Sequence, residues 1–192
     1  PGSHFLGPIN WSPDVPLPDW WHTLPTERPL IYVTLGSSGD GRLLGPLVER
    51  LAALDVEVVV ATAGNARLPA SEHIHAADYL PGATVAARAA AVVCNGGSPT
   101  SSQALALGIP VLGIPGNLDQ YLNMYYVENI GAGLTLRNRA LDSQAPVDAV
   151  RRLLTEPGFK RAAEWVADVF RRYTPQTRLE AALAGLTGTP AA

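Results

Sequence analysis

From Leu30 onward, apolar and polar positions follow two alternating rhythms. "LIYVTL" is a short β-branched run that stops at Gly36, "LLGPLVERLAAL" spaces Leu and Val along one face of a helix, and "VEVVVAT" returns to a strand. The cycle recurs weakly through "HIHAADYL" and a helix at about 84–89, then clearly through "AAVVC", a helix at about 99–107 and "PVLGI". A helix near 120–129, a short strand "GLTL" and helices at about 146–154 and 159–172 complete the pattern. This alternation predicts an α/β domain, a Rossmann-like parallel sheet with helices on both faces. In such a sheet the ligand site lies beyond the carboxyl ends of the strands.

The stretch ahead of Leu30 breaks the rhythm. It holds seven of the 17 prolines, so it is predicted to be an extended connector rather than a helix. We therefore divide the chain into a connector, 1–29, and a folded domain, 30–192. Trp11, Trp20 and Trp21 are candidate anchors of the connector, with packing as their expected role. The chain begins at Pro1, and its start resembles a cut inside a longer protein.

Unusual loops stand at three strand ends: Gly36-Ser37-Ser38-Gly39-Asp40-Gly41, Asn95-Gly96-Gly97-Ser98-Pro99-Thr100, and Pro115-Gly116-Asn117-Leu118-Asp119-Gln120. In the second, glycines admit a close approach to the backbone, Ser98 is a natural N-cap and Pro99 a natural first helical residue. Free N–H groups at that helix start suit a phosphate. Alone, Gly-Gly plus a cap also makes an ordinary strand-to-helix turn. Asp119 and Gln120 are equally ordinary in a first helical turn.

Composition removes whole classes. The 192 residues are 47% apolar, enough for a core, and 16% charged, with a net charge of −3 and no run of Lys or Arg. Neither a nucleic acid nor an anionic membrane is expected as a partner. The apolar stretches fall short of the ~20 residues of a spanning helix. One cysteine, Cys94, allows no internal disulfide and agrees with a reducing, cytoplasmic setting. No CxxC and no His pair at ligand spacing occurs, so no metal site is expected. Glycines at 36, 39 and 41 do not fit GxGxxG, the second strand ends in Ala61-Thr62-Ala63 rather than an acidic residue, and no GxxxxGK[ST] is present. A dehydrogenase and a P-loop NTPase are both disfavoured.

Taken together, Gly36-Ser37, Asn95-Gly96-Gly97-Ser98-Pro99-Thr100, "ALALGIPVLGIP" and Asp119-Gln120-Tyr121-Leu122-Asn123 resemble the C-terminal half of GT-B glycosyltransferases, in the family that includes UDP-glucuronosyltransferases and bacterial macrolide glycosyltransferases. "FLGPI" and the proline-rich connector resemble the segment joining that family's two halves. The resemblance implies a donor diphosphate held by Gly36, Ser37, Ser38, Asn95, Gly96, Gly97, Ser98 and Thr100. It implies sugar hydroxyls at Asp119 and Gln120, and a nucleobase at Tyr79, Leu80 and Pro81, with Gly82 closing that loop. The implied reaction moves a hexosyl group from a nucleotide diphosphate sugar to an acceptor hydroxyl, without a metal and with inversion. UDP- or TDP-linked donors are the expected substrates, and no cofactor is expected. The partner is an acceptor-binding N-terminal domain of the same full-length protein, and the fragment alone is expected to be inactive.

One position departs from the family pattern. Asn95 stands where the family has a phosphate-binding His, and a neutral donor bonds about half as strongly as a charged one. Arg42 and Arg137 are available cations, with an exposed surface role the favoured reading. We find no general base: His4 and His22 fall in the connector, while His73 and His75 read as structural histidines of a strand. The catalytic base is expected in the N-terminal half. Two other readings remain open, a GT-B nucleotide-sugar epimerase, whose acidic and basic groups are not found, and a non-catalytic interaction module that has lost donor binding.

Overall fold

A computed structural model describes residues 5–64, 66–68, 71–141 and 143–187. The first four residues of the expected connector, His4 among them, and residues 188–192 of the expected domain lie outside the described residues.

Six parallel strands form one sheet in the order β3-β2-β1-β4-β5-β6. They are β1 (Leu30–Thr34), β2 (Glu57–Ala61), β3 (Ile74–Ala77), β4 (Ala91–Cys94), β5 (Val111–Gly113) and β6 (Gly133–Thr135). The helices between and after them are α1 (Leu44–Leu51), α2 (Gly82–Arg88), α3 (Ser98–Ala106), α4 (Leu118–Ile130), α5 (Ala145–Thr155), α6 (Pro157–Arg171) and α7 (Pro175–Thr187). A strand buried on both faces favours apolar residues, and β1, β2 and β4 are buried throughout, with Glu57 as the charged exception at the start of β2. Their side chains still alternate between two cores. Ile31, Val33, Val58 and Val60 meet Leu47, Val48, Val150 and Leu153 of α1 and α5 on one face. Leu30, Tyr32, Val59 and Val92 meet Val85, Ala104, Met124 and Val166 of α2, α3, α4 and α6 on the other. The predicted α/β sheet with helices on both faces is therefore what the chain forms.

Strand order has a direct consequence for the site. After β1 the chain moves outward to β2 and β3, then returns to the other side of β1 with β4. The loops leaving β1 and β4 thus diverge to opposite faces, and a crevice opens between them at this switch in direction.

Several local expectations need correction. The connector is not wholly extended: Asp19–Thr23 form a 3-10 turn, which needs only short-range bonds and tolerates the prolines on either side. Its Trp20 and Trp21 pack on the core, as expected. α3 starts one residue early, so Gly97 is its N-cap and Ser98 its first residue, with no side-chain cap. The Ser98 hydroxyl is therefore not a cap. α4 starts at Leu118, and Asn117 rather than Asp119 caps it by accepting from the Gln120 N–H at 3.0 Å. α2 begins at Gly82, and α7 was not anticipated, although its Leu179, Leu183 and Leu186 follow the i, i+4, i+7 spacing of a helix face.

Candidate functional site

Three loops meet beyond the carboxyl ends of β1, β4 and β5. Gly36 turns the chain out of β1 with φ +63°, and Gly96 turns it out of β4 with φ +77°, conformations that favour glycine. Asn95, buried at the end of β4, joins the first two loops. Its Nδ2 donates to Ser38 Oγ at 3.0 Å, while its Oδ1 accepts from the Gly97 N–H at 2.9 Å. The neutral amide thus holds both loops at once, a bond pattern that uses its donor and its acceptor together.

The third loop is tied in by α4. Asn123 Nδ2 donates to the Gly96 carbonyl and to Ser101 Oγ, each at 2.8 Å. Met124 fills the space beside Gly96, where a Cβ would lie 2.6 Å from its Cγ. Gln120 is 3% exposed, and its Oε1 accepts from the Gly116 N–H at 2.8 Å, so it shapes its own loop. Asp119 is exposed at the first turn of α4.

Two cavities flank the Asn95–Ser38 contact, and both residues line both. The first, about 400 Å³, also takes in Gly36, Gly97, Thr100, Tyr79 and Leu80. Because nothing caps α3, the main-chain N–H groups of Ser98 and Thr100 stand free at its start, where the helix dipole is positive. The second, about 380 Å³, takes in Gly39, Asp40, Gly116, Asn117 and Gln120. Of the residues named from sequence, then, those of the three loops converge. Gly96, Ser98, Pro81 and Asp119 sit beside the cavities without lining them.

Neither cavity is lined by Lys or Arg among the described residues. The first carries one charged group, Asp78, whose Oδ1 accepts from Thr62 Oγ1 at 2.7 Å. Arg42 and Arg137 are both exposed, as expected, and Arg42 is paired with Asp40, which keeps that carboxylate below its usual range. Under the first cavity, burial raises the Tyr32 hydroxyl to about 12, and at the end of β4 burial raises the Cys94 thiol to about 12. Both remain neutral at physiological pH and serve the packed floor rather than proton transfer.

Sequence reasoning missed several contributors to the first cavity, among them Trp11, Tyr32, Asp78 and Gln103. For Gln103 a signal existed, since it follows Pro99 by four and Thr100 by three residues on one face of α3. Trp11 had none, because nothing local ties it to α3.

The sheet order and the crevice at its switch in direction are those of one half of a GT-B glycosyltransferase fold. Residues 46–179 match the model of the erythromycin biosynthesis protein CIII-like C-terminal domain, and the chain belongs to that family. It is 51% identical over 174 residues to a PGL/p-HBAD biosynthesis glycosyltransferase of Mycobacterium tuberculosis, covering 88% of this chain and 40% of the relative. It is 49% identical over 176 residues to a PGL/p-HBAD biosynthesis rhamnosyltransferase of Mycobacterium bovis, covering 90% of this chain and 39% of that one. Among solved structures, the glycosyltransferase VinC in complex with DTDP superposes with a TM-score of 0.72 at 28% identity, over 86% of this chain and 43% of that one. The chain thus spans about two fifths of the length of these curated relatives. No helix among the described residues is long and apolar enough to cross a membrane.

Proposed function

We propose that this chain is the donor-binding half of a glycosyltransferase that moves a hexosyl group from a UDP- or TDP-linked sugar to an acceptor hydroxyl, with inversion. The observation that carries this reading is the Asn95 bridge. It sets the glycine loop after β4 against the serine loop after β1, leaving the Ser98 and Thr100 N–H groups free at a helix start. Such donors suit the diphosphate, and they stabilise the charge that builds on it as the sugar departs, a role that needs no metal. Gly36, Ser37, Ser38, Asn95, Gly96, Gly97, Ser98 and Thr100 surround this group. Tyr79 and Leu80, which line the first cavity, and Pro81 beside it meet the base, while Gln120, which lines the second cavity, and Asp119 beside it meet sugar hydroxyls.

With an amide in place of an imidazole, phosphate recognition rests on neutral donors alone. The likeness to a DTDP-bound enzyme supports a deoxythymidine diphosphate donor, and the likeness to a rhamnosyltransferase supports a hexosyl group. An acceptor-binding domain of the same protein supplies the acceptor pocket and the general base, and the isolated chain is inactive. The connector, residues 1–29, joins the two halves, and the protein works in the cytoplasm.

Calorimetric titration with UDP, TDP and GDP, then with their glucose conjugates, tests the reading. Saturable binding of one diphosphate is expected. A folded chain and a full-length protein that both ignore all three would return the reading to an interaction module. Asp119→Ala is expected to weaken binding of the nucleotide sugar while sparing the free diphosphate, and equal loss for both ligands removes Asp119 from the sugar site.

A further inference from the structure

The first cavity has a wall that comes from outside the sheet. Trp11 and Pro13 of the connector line it together with Tyr79, Leu80 and Gly82. The three connector tryptophans differ in their surroundings. Trp20 lies 5.5 Å from the His75 ring and Trp21 lies 5.3 Å from the Arg88 guanidinium, and both pack on the core. Trp11 is 76% exposed, with no place in either core.

Its backbone is nevertheless held. Gln103 Nε2 donates to the Trp11 carbonyl at 3.1 Å, and Ser12 Oγ accepts from the Ala83 N–H at 3.4 Å. Gln103 is 8% exposed and reaches the connector past Gly82, where a Cβ would lie 2.7 Å from its Oε1. A bare α-carbon at 82 therefore clears the path of the clamp. Two successive connector residues are fixed to α3 and α2 at the cavity, and the indole between them stands open. An exposed indole on a held backbone beside a cavity is a flat π face that a planar heterocycle can cover.

We propose that Trp11 is the stacking platform for the nucleobase of the donor, and that Gln103 is a positioning residue that holds the platform by its carbonyl. The proposal rests on the donor-site reading of the first cavity. It makes the connector, already held by Gln103 and Ala83, part of the binding site. Stacking is tolerant of base identity, and uracil and thymine are both accepted.

The test titrates the chain and its Trp11→Ala, Trp11→Phe and Gln103→Leu variants with UDP, TDP and inorganic pyrophosphate, with far-UV circular dichroism to establish folding. Trp11→Ala is expected to bind UDP and TDP about tenfold more weakly, ~1.4 kcal/mol, with pyrophosphate affinity unchanged. Trp11→Phe retains most of the affinity but loses the quenching of tryptophan fluorescence that UDP causes in the parent. Gln103→Leu shows a smaller loss of the same kind, for the nucleotides and not for pyrophosphate. Unchanged UDP affinity in Trp11→Ala overturns the proposal, and so does an equal loss for pyrophosphate, which would mark a general structural role. A folded parent chain and a full-length protein that both bind neither ligand overturn the donor-site reading and this proposal together. A parent that binds UDP no better than pyrophosphate overturns the platform alone.

Discussion

Two polar clusters sit at opposite ends of the same sheet and are made of opposite kinds of residue. At the amino ends, Glu57, 1% exposed as the first residue of β2, accepts from His75 Nε2 at 2.8 Å and from His73 Nδ1 at 3.2 Å, with Arg28 at 3.6 Å. At the carboxyl ends, Asn95, Ser38 and Gly97 bond through neutral groups beside free main-chain N–H donors. The first is the more conspicuous titratable cluster, yet both oxygens of its carboxylate already accept from histidine side chains, and the cavity that takes in Arg28 does not reach Glu57. Saturated charge at the amino ends fastens β2, β3 and the connector together. Unsaturated donors at the carboxyl ends leave bonding capacity for a ligand.

The largest way to strain this contrast is alkaline pH, because the floor of the carboxyl end hides two neutral acids. Tyr32 goes from 10.0 to about 12 and Cys94 from 9.0 to about 12 on burial. Both folded values exceed the unfolded ones, so the stability they contribute is complete below pH 9 and is lost as pH rises from 9 through 12. A fall on the order of 3 kcal/mol by pH 11 is expected, read from denaturant midpoints at pH 8, 10 and 11. A flat profile would mean that water reaches these groups.

Gly96→Ala follows, combining a positive φ with a Cβ 2.6 Å from Met124 Cγ. A loss of about 2–3 kcal/mol is expected, together with loss of diphosphate binding in titration, since α4 and the glycine loop separate. Glu57→Ala removes the acceptor of the amino-end cluster, whose partners are partly solvated, and costs about 2 kcal/mol in urea unfolding. Diphosphate affinity is unchanged, and any loss would end the division of labour between the two ends. Asn95→Ala is the smallest in stability, about 1 kcal/mol, yet lowers diphosphate affinity about tenfold. Asn95→His is expected to restore a charged donor and bind a nucleotide sugar more tightly at pH 6 than at pH 8, because the imidazolium gain fades as pH rises through its pKa.

How much of this was legible varied by element. The strands and the order of strand, helix and loop were readable because burial on both faces favours continuous apolar runs such as "AAVVC". The loops were readable because Gly36, Gly96 and Gly97 stand at strand ends. Cap positions slipped by one or two residues: Ser98 and Asn117 are both good caps on paper, and only backbone geometry assigns Asn117 the role and withholds it from Ser98. Gln120 was named as a sugar-binding candidate, and only the packing of α4 shows that its Oε1 also accepts from the Gly116 N–H while the residue lines the second cavity.

The sequence by itself determined the alternation of elements, the placement of bare backbone at their ends and the neutral residue at position 95, because each depends on local pattern and residue type. Tertiary structure alone decided which loops meet. Ser38 and Asn95 lie 57 residues apart and bond because β4 returns to the open side of β1. Trp11 and Gln103 lie 92 residues apart and meet because the connector folds back over α3. Such contacts follow from which faces bury one another across the whole chain, and no window of sequence contains that information.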